Sequence, residues 1–163
     1  MNWLIVSGCV VLTISGIIAF LGLQLPKDHV VSRTRRFNAS VDSVWDLVSD
    51  VTGAAAWRSD LKSVAPVNLN RWREVNAQGQ AVLYERVEAQ APWRLVTRIA
   101  DTDLPYSGTW TFELSEDGKK TTWLTITENG AVHNPIFRFM SRYIFSQTKS
   151  METYLDSLEK KLG

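Results

Sequence analysis

RRFNASVDSVWDLVSDVTGAAAWRSDLKSV, residues 35–64, is the stretch whose reading decides the fold. Its opening residues close a strand, VVSRTRRF at 30–37. Ser40 then offers a side-chain oxygen to the first amides of a helix running through Asp50, and Asp42 suits the positive end of that helix. Val41, Val44, Trp45 and Val48 recur at helical spacing and predict its buried face. A second short helix is predicted over Thr52 to Trp57, and the strand pattern returns at 61.

Downstream, strands are predicted at 61–69 and 71–76, and at 81–90 after the turn-like NAQGQ of 76–80. Pro92 breaks the pattern before a strand at 93–101, and Pro105 before one at 107–115. Trp110, Phe112 and Leu114 alternate there with Thr109, Thr111 and Glu113, the period of a half-buried strand. Asp117-Gly118 is a tight-turn pair leading into a strand at 120–128, where Leu124 and Ile126 alternate with threonine. Asn134 suits a helix cap and Pro135 the first helical position. Beyond them Ile136, Met140, Tyr143, Ile144, Met151, Leu155, Leu158 and Leu162 form one apolar stripe, predicting a single helix roughly 40 Å long. Asp156 and Lys160 pair at i,i+4 on its exposed side. A sheet hairpinned throughout is antiparallel, and one long helix laid across it makes an α+β layer.

Upstream the composition changes. All 18 Lys and Arg and all 17 Asp and Glu lie after Pro26, so the net charge of +1 hides an apolar head on a polar body. Trp3 to Leu25 carries no charge and has roughly the 20-residue length that crosses a bilayer as a helix. The sequence therefore divides into a transmembrane anchor at 3–25, a linker at 26–29 and a domain at 30–162. A cleaved signal peptide is the main rival reading. The uncharged Met1-Asn2 and the lack of an A-x-A site argue against it, and a run apolar on every side argues against a buried core helix. Lys27, Arg33, Arg35 and Arg36 follow the anchor, which favours a cytoplasmic domain. The vote is weakened because Arg33 to Arg36 belong to the first strand. The near-neutral body argues against nucleic acid as a partner. Cys9, alone and inside the head, leaves the domain without disulfides and the compartment unread.

The order of strand, two short helices, a meander of about six strands and a long C-terminal helix frames a resemblance carried by particular residues. Val44-Trp45, Asp50 and Trp57 in the opening stretch resemble the V-W-x-x-x-x-D helix and following Trp of the SRPBCC (START/Bet v 1-like) superfamily. The later stretch SGTWTFELSEDGKKTTWLTITENGAVHNPIFRFMSRY is similar to the last hairpin and helix entry of its polyketide cyclase/dehydrase branch. Together they cover the body at about 30–160. The resemblance implies a helix-grip fold, in which a curled antiparallel sheet surrounds the long helix and leaves a cavity. It also implies a hydrophobic small molecule or lipid as partner, with cyclisation, dehydration or hydrolysis in a few members. Two features depart from the family: the anchor, and Asn38-Ala39-Ser40 where a proline is usual in the turn.

No strong catalytic or cofactor-binding constellation stands out: there is no G-x-S-x-G, H-E-x-x-H, Gly-rich phosphate loop or C-x-x-C. No catalytic residue, metal ligand or cofactor is assigned. His29 falls just outside the anchor, and His133 would lie near the cavity mouth in the family fold, although a loop histidine is the plainer reading. The aromatic residues are more informative. Trp57, Trp72, Tyr84, Trp110, Phe112, Met140, Tyr143 and Ile144 are the candidate lining of a roomy apolar pocket, with ring tips that orient a ligand. Their plain alternative is ordinary core. Arg86, Glu85, Glu88, Arg94 and Arg98 read as cross-strand ion pairs on an exposed face. The sharper alternative puts one Arg and one Glu inside the cavity, with Arg58 as a mouth candidate.

Three functions follow. A membrane-tethered binding domain for a hydrophobic small molecule or lipid is preferred, because the anchor concentrates it beside membrane-dissolved ligands. A protein-interaction module without ligand and a cyclase/dehydratase-type enzyme are the alternatives. A packed interior would sink the first, and a cavity without titratable groups would sink the last.

Overall fold

A computed structural model describes residues 2–118, 120–143 and 148–163, with residues 2, 4 and 5 as backbone alone. Helix α1 (Asn2–Gln24) precedes strand β1 (Asp28–Phe37), helix α2 (Val41–Ser49) and a single 3₁₀ turn (Ala54–Ala56). Strands β2 (Leu61–Pro66), β3 (Arg71–Asn76), β4 (Ala81–Gln90), β5 (Arg94–Ile99), β6 (Tyr106–Glu116) and β7 (Thr122–Val132) follow. Helices α3 (Pro135–Tyr143) and α4 (Lys149–Leu162) complete the chain.

The opening stretch folds as its residues dictate. The Ser40 hydroxyl accepts the Ser43 amide at 3.3 Å, and Val41, Val44 and Val48 are buried. Trp45 is half-buried against the core. The helix and the turn carry the chain from one sheet edge to the other, since the strand order is β1-β7-β6-β5-β4-β3-β2, antiparallel at every pairing. The meander then walks back until β7 pairs with β1. Register shifts at Leu61/Ser63 and Arg86/Glu88 strengthen the local twist and help the sheet curl.

Helix α4 lies in that curl. Met151, Tyr154, Leu155 and Leu158 are buried against Phe37, Val44, Leu124 and Ile126. Ion pairs fix its bearing on β1: Arg33 Nε to Glu152 at 2.6 Å, and Arg35 to Asp156 at 2.6 Å, Glu152 at 3.0 Å and Glu159 at 3.2 Å. The carboxylates around Arg35 outweigh its partial desolvation and raise its pKa.

Several boundaries differ from the sequence reading: β2 ends at Pro66, β5 spans Arg94–Ile99, and the second short helix is only the 3₁₀ turn Ala54–Ala56. β1 begins at Asp28, because Asp28 and His29 pair with Ala131 and Gly130 and the Val132 amide donates to the Lys27 carbonyl at 2.9 Å. Half of the stretch 26–29, Asp28 and His29, is therefore strand. β7 runs through Gly130, which pairs with two neighbours, to Val132. The C-terminal helix is described as two segments, and the predicted stripe residue Ile144 lies outside the described residues.

The first of those segments explains part of the difference. α3 packs against the end of α1, where Arg138 is buried. Its guanidinium donates to the carbonyls of Gly22 (3.2 Å), Leu25 (3.1 Å) and His133 (3.0 Å). The last carbonyls of a helix lack partners within it, and a cation there also complements the helix dipole. Gly22 is required by the approach, since a Cβ would overlap the Pro135 carbonyl. Within α1, Val6–Gln24 is the one helix among the described residues long and apolar enough to cross a membrane, with mean hydropathy 2.3 and 6% burial.

Candidate functional site

The core fills only part of the curl. Beside it lies a cavity of about 460 Å³ between the inner sheet face, the α2 end and α4. Its walls follow from strand alternation. Val82 and Tyr84 come from β4, Leu95 and Thr97 from β5, and Gly108, Trp110 and Phe112 from β6. Leu47 and Val48 of α2, Ala54 of the turn and Tyr154 of α4 cover them. Phe137 and Ser141 of α3 border the space, and Phe137 is half-exposed, so α3 edges an opening.

Rings make two packed groups on the inner surface. Tyr154 meets Trp57 at 5.3 Å, Phe112 at 5.5 Å and Trp110 at 6.1 Å between centroids, and Trp72 stacks on Tyr84 at 6.0 Å. Edge-on and offset packing of this kind favours rings beyond their buried area.

Two polar clusters interrupt the apolar wall. In the first, Arg58 binds Asp60 through Nε (3.2 Å) and Nη2 (2.6 Å), and Glu74 through Nη1 (3.2 Å). Trp72 Nε1 donates to Glu74 Oε1 at 2.9 Å, and the Arg58 guanidinium lies 5.2 Å from the Tyr154 ring centre. Burial opposes the charge on Arg58, but Asp60 and Glu74 outweigh it and raise its pKa. Burial also pushes Tyr84 and Tyr154 well above the ordinary tyrosine range, with Glu74 adding to the rise and Arg58 opposing it. In the second cluster, Glu128 accepts from Trp110 Nε1 at 2.9 Å and lies 3.3 Å from His29 Nε2. The His29 ring sits over Gly130, where a Cβ would overlap it.

The structure separates the candidate residues. Trp57, Trp72, Tyr84, Trp110 and Phe112 line the cavity. Met140 and Tyr143 do not: Tyr143 is 65% exposed and packs on Phe139, because α3 turns its Arg138 and Pro135 side towards α1. The cavity takes Phe137 and Ser141 from α3 instead. His133 is likewise absent from the lining and bonds Ser107 at 3.1 Å, while His29 is present.

The strand charges divide as well. Glu85 pairs with Arg71 and Arg98, and Arg94 with Glu88 and Glu113, all outside the cavity. Arg86 reaches the Ser49 carbonyl at 3.0 Å. The charged Arg and Glu residues inside are Arg58, Glu74 and Glu128. Glu74 was missed although it sits two residues from the lining candidate Trp72, on the same strand face. Tyr154 was missed although it lies three residues from Met151, on the same helix face. Among the described residues no group of three or more His, Cys, Asp or Glu is placed to hold a metal.

Residues 28–163 match the sequence profile of the family described as polyketide cyclase/dehydrase and lipid transport. A comparison with curated protein sequences finds no match. Among solved structures, a START superfamily protein from Mycobacterium smegmatis is similar at TM-score 0.67 and 18% identity, covering 82% of this chain and 97% of that one. A conserved protein from Geobacillus kaustophilus is similar at TM-score 0.70 and 13% identity, covering 82% and 95%. Norcoclaurine synthase from Thalictrum flavum, in complex with dopamine and hydroxybenzaldehyde, is similar at TM-score 0.67 and 11% identity, covering 88% and 90%. At these identities the likeness is one of fold.

Proposed function

This chain belongs to the polyketide cyclase/dehydrase and lipid transport family of the SRPBCC superfamily, and on that premise we propose that it is a membrane-tethered domain holding a hydrophobic small molecule or lipid. The single observation that carries the reading is the cavity of about 460 Å³ walled by Trp57, Trp72, Tyr84, Trp110, Phe112 and Tyr154. Ligand sites are concave, mostly apolar and furnished with a few placed polar groups, and this cavity has that composition. A fully packed interior would have favoured an interaction module.

The docking of α3 on α1 supports the membrane part of the proposal. If α1 spans the bilayer, the Arg138 bonds to Gly22 and Leu25 hold α3 at the point of exit. Ile136, Phe137 and Tyr143 are exposed on α3, and Phe137 also borders the cavity. An apolar ligand would then pass between bilayer and cavity over a short path. Binding is preferred to acid/base turnover because burial holds Tyr84 and Tyr154 protonated, which suits their hydroxyls to donating to a ligand rather than to acting as bases.

The test is extraction of the full chain in detergent, followed by mass spectrometry of organic extracts beside a Val82→Trp variant. Val82 lines the cavity and is buried. A small apolar molecule enriched with the parent and absent from the variant is the expected result. Equal extracts from both would sink the reading. Alkaline carbonate washing of membranes tests the tether separately: an integral chain stays in the pellet.

A further inference from the structure

The polar end of the cavity carries a surplus of negative charge and a surplus of hydrogen-bond donors. Arg58 is the one Lys or Arg among the lining residues, and each of its three nitrogens already donates to Asp60 or Glu74. One cation facing two carboxylates leaves that cluster with a net charge of −1, and Glu128 adds another carboxylate across the cavity. Glu74 Oε1 already accepts from both Trp72 and Arg58. The hydroxyls of Tyr84 and Tyr154, by contrast, make no hydrogen bond to any described residue, although both residues line the cavity and Tyr154 is only 4% exposed. Tyr84 stacks on Trp72, which donates to Glu74, and the Arg58 guanidinium that binds Glu74 lies 5.2 Å from the Tyr154 ring centre, so both tyrosines lie at the same end.

We infer that this cavity selects uncharged apolar molecules bearing a carbonyl-type oxygen, which accepts from Tyr84 and Tyr154, and that it rejects carboxylates. The inference deepens the binding reading and rests on it. A carboxylate would enter a space where Arg58 is already paired, His29 already faces Glu128, and the three carboxylates Asp60, Glu74 and Glu128 outnumber the two basic groups, so its desolvation goes uncompensated. An ammonium would be drawn to the carboxylates, but these are already held by Arg58, Trp72 and Trp110, and it has no lone pair to accept the two O–H groups. A ketone, quinone or ester oxygen meets both without importing charge. Recognition built on such donors discriminates by the group they bind rather than by ligand size.

The test uses four probes of one skeleton: naphthalene, 2-acetylnaphthalene, 2-naphthoate and 2-(aminomethyl)naphthalene. Each is titrated calorimetrically into the full chain in nanodiscs, with empty nanodiscs as blank. The ketone is expected to bind about tenfold tighter than the other three, as one or two neutral hydrogen bonds supply. In a Y84F/Y154F variant that advantage disappears, and the ketone binds no tighter than naphthalene does to the same variant. Neither hydroxyl has a protein partner among the described residues, so the variant keeps its fold. Carboxylate or ammonium binding as tight as the ketone, or an advantage that survives in the variant, overturns the inference and leaves the binding reading intact. Failure of all four probes, naphthalene included, overturns both.

Discussion

At the scale of single residues, Tyr84 and Tyr154 link burial to chemistry. Desolvation is the largest cause of their rise above the ordinary value of 10.0. A phenol whose folded-state pKa exceeds its unfolded value contributes stability that is complete below pH 10 and lost as pH rises, because the unfolded chain gives up the proton first. In an alkaline titration, the phenolate absorbance of these two tyrosines is therefore expected to appear only as the fold is lost. Each single Tyr→Phe variant should remove one part of that step and leave melting at neutral pH unchanged. Reversible ionisation of either residue in the folded protein would contradict the burial assigned here. Sequence revealed the aromatic wall because large rings on separate elements already point to one interior. It did not reveal Glu74, because a carboxylate on a strand reads as solvated until its partner arrives. That partner, Arg58, comes from the loop after the 3₁₀ turn, sixteen residues earlier. Long-range charge pairing leaves no local periodicity.

Among the elements, α3 is where local pattern and tertiary structure diverge. The apolar stripe predicts one helix facing the sheet throughout. In the structure α4 keeps that face, and α3 instead gives its buried arginine to the end of α1. No periodicity rule marks Arg138 as buried, since two of its three acceptors are main-chain carbonyls more than a hundred residues away. The N-terminal features of α3 were legible: Asn134 Oδ1 accepts the Ile136 amide at 2.9 Å, as a cap residue should. The junction predicts a local lesion. Gly22→Val places side-chain atoms on the Pro135 carbonyl and should separate α3 from α1. Hydrogen exchange on the full chain in nanodiscs should then accelerate at 135–143 while β6 and β7 keep their protection. Unchanged exchange in α3 would mean that the contact with α1 does not hold it.

Taken whole, the molecule has a packed end and a hollow end along α4. Strand order was readable from the hairpins as far as β2 to β7. The closing pair β1–β7 was not, because its partners are about ninety residues apart and only the family resemblance implied it. The division between core and cavity was also invisible, since Leu124 and Trp110 occupy equivalent inward positions of neighbouring strands. It separates two kinds of substitution. Leu124 is fully buried, so Leu124→Ala should lower unfolding free energy by about 2–5 kcal/mol whether or not a ligand is bound. Filling the hollow end has the opposite profile. Val82→Trp occupies space that is already empty, so stability without ligand should hold, but the stabilisation that a ligand gives should vanish. That stabilisation is about 2.7 kcal/mol at a hundredfold excess over Kd. Denaturant titrations of parent and both variants, with and without 2-acetylnaphthalene, distinguish the cases. Leu124→Ala should shift both curves equally, whereas Val82→Trp should bring its two curves together. A ligand shift that survives Val82→Trp would place the bound molecule outside the cavity, on the exposed face of α3 or along α1.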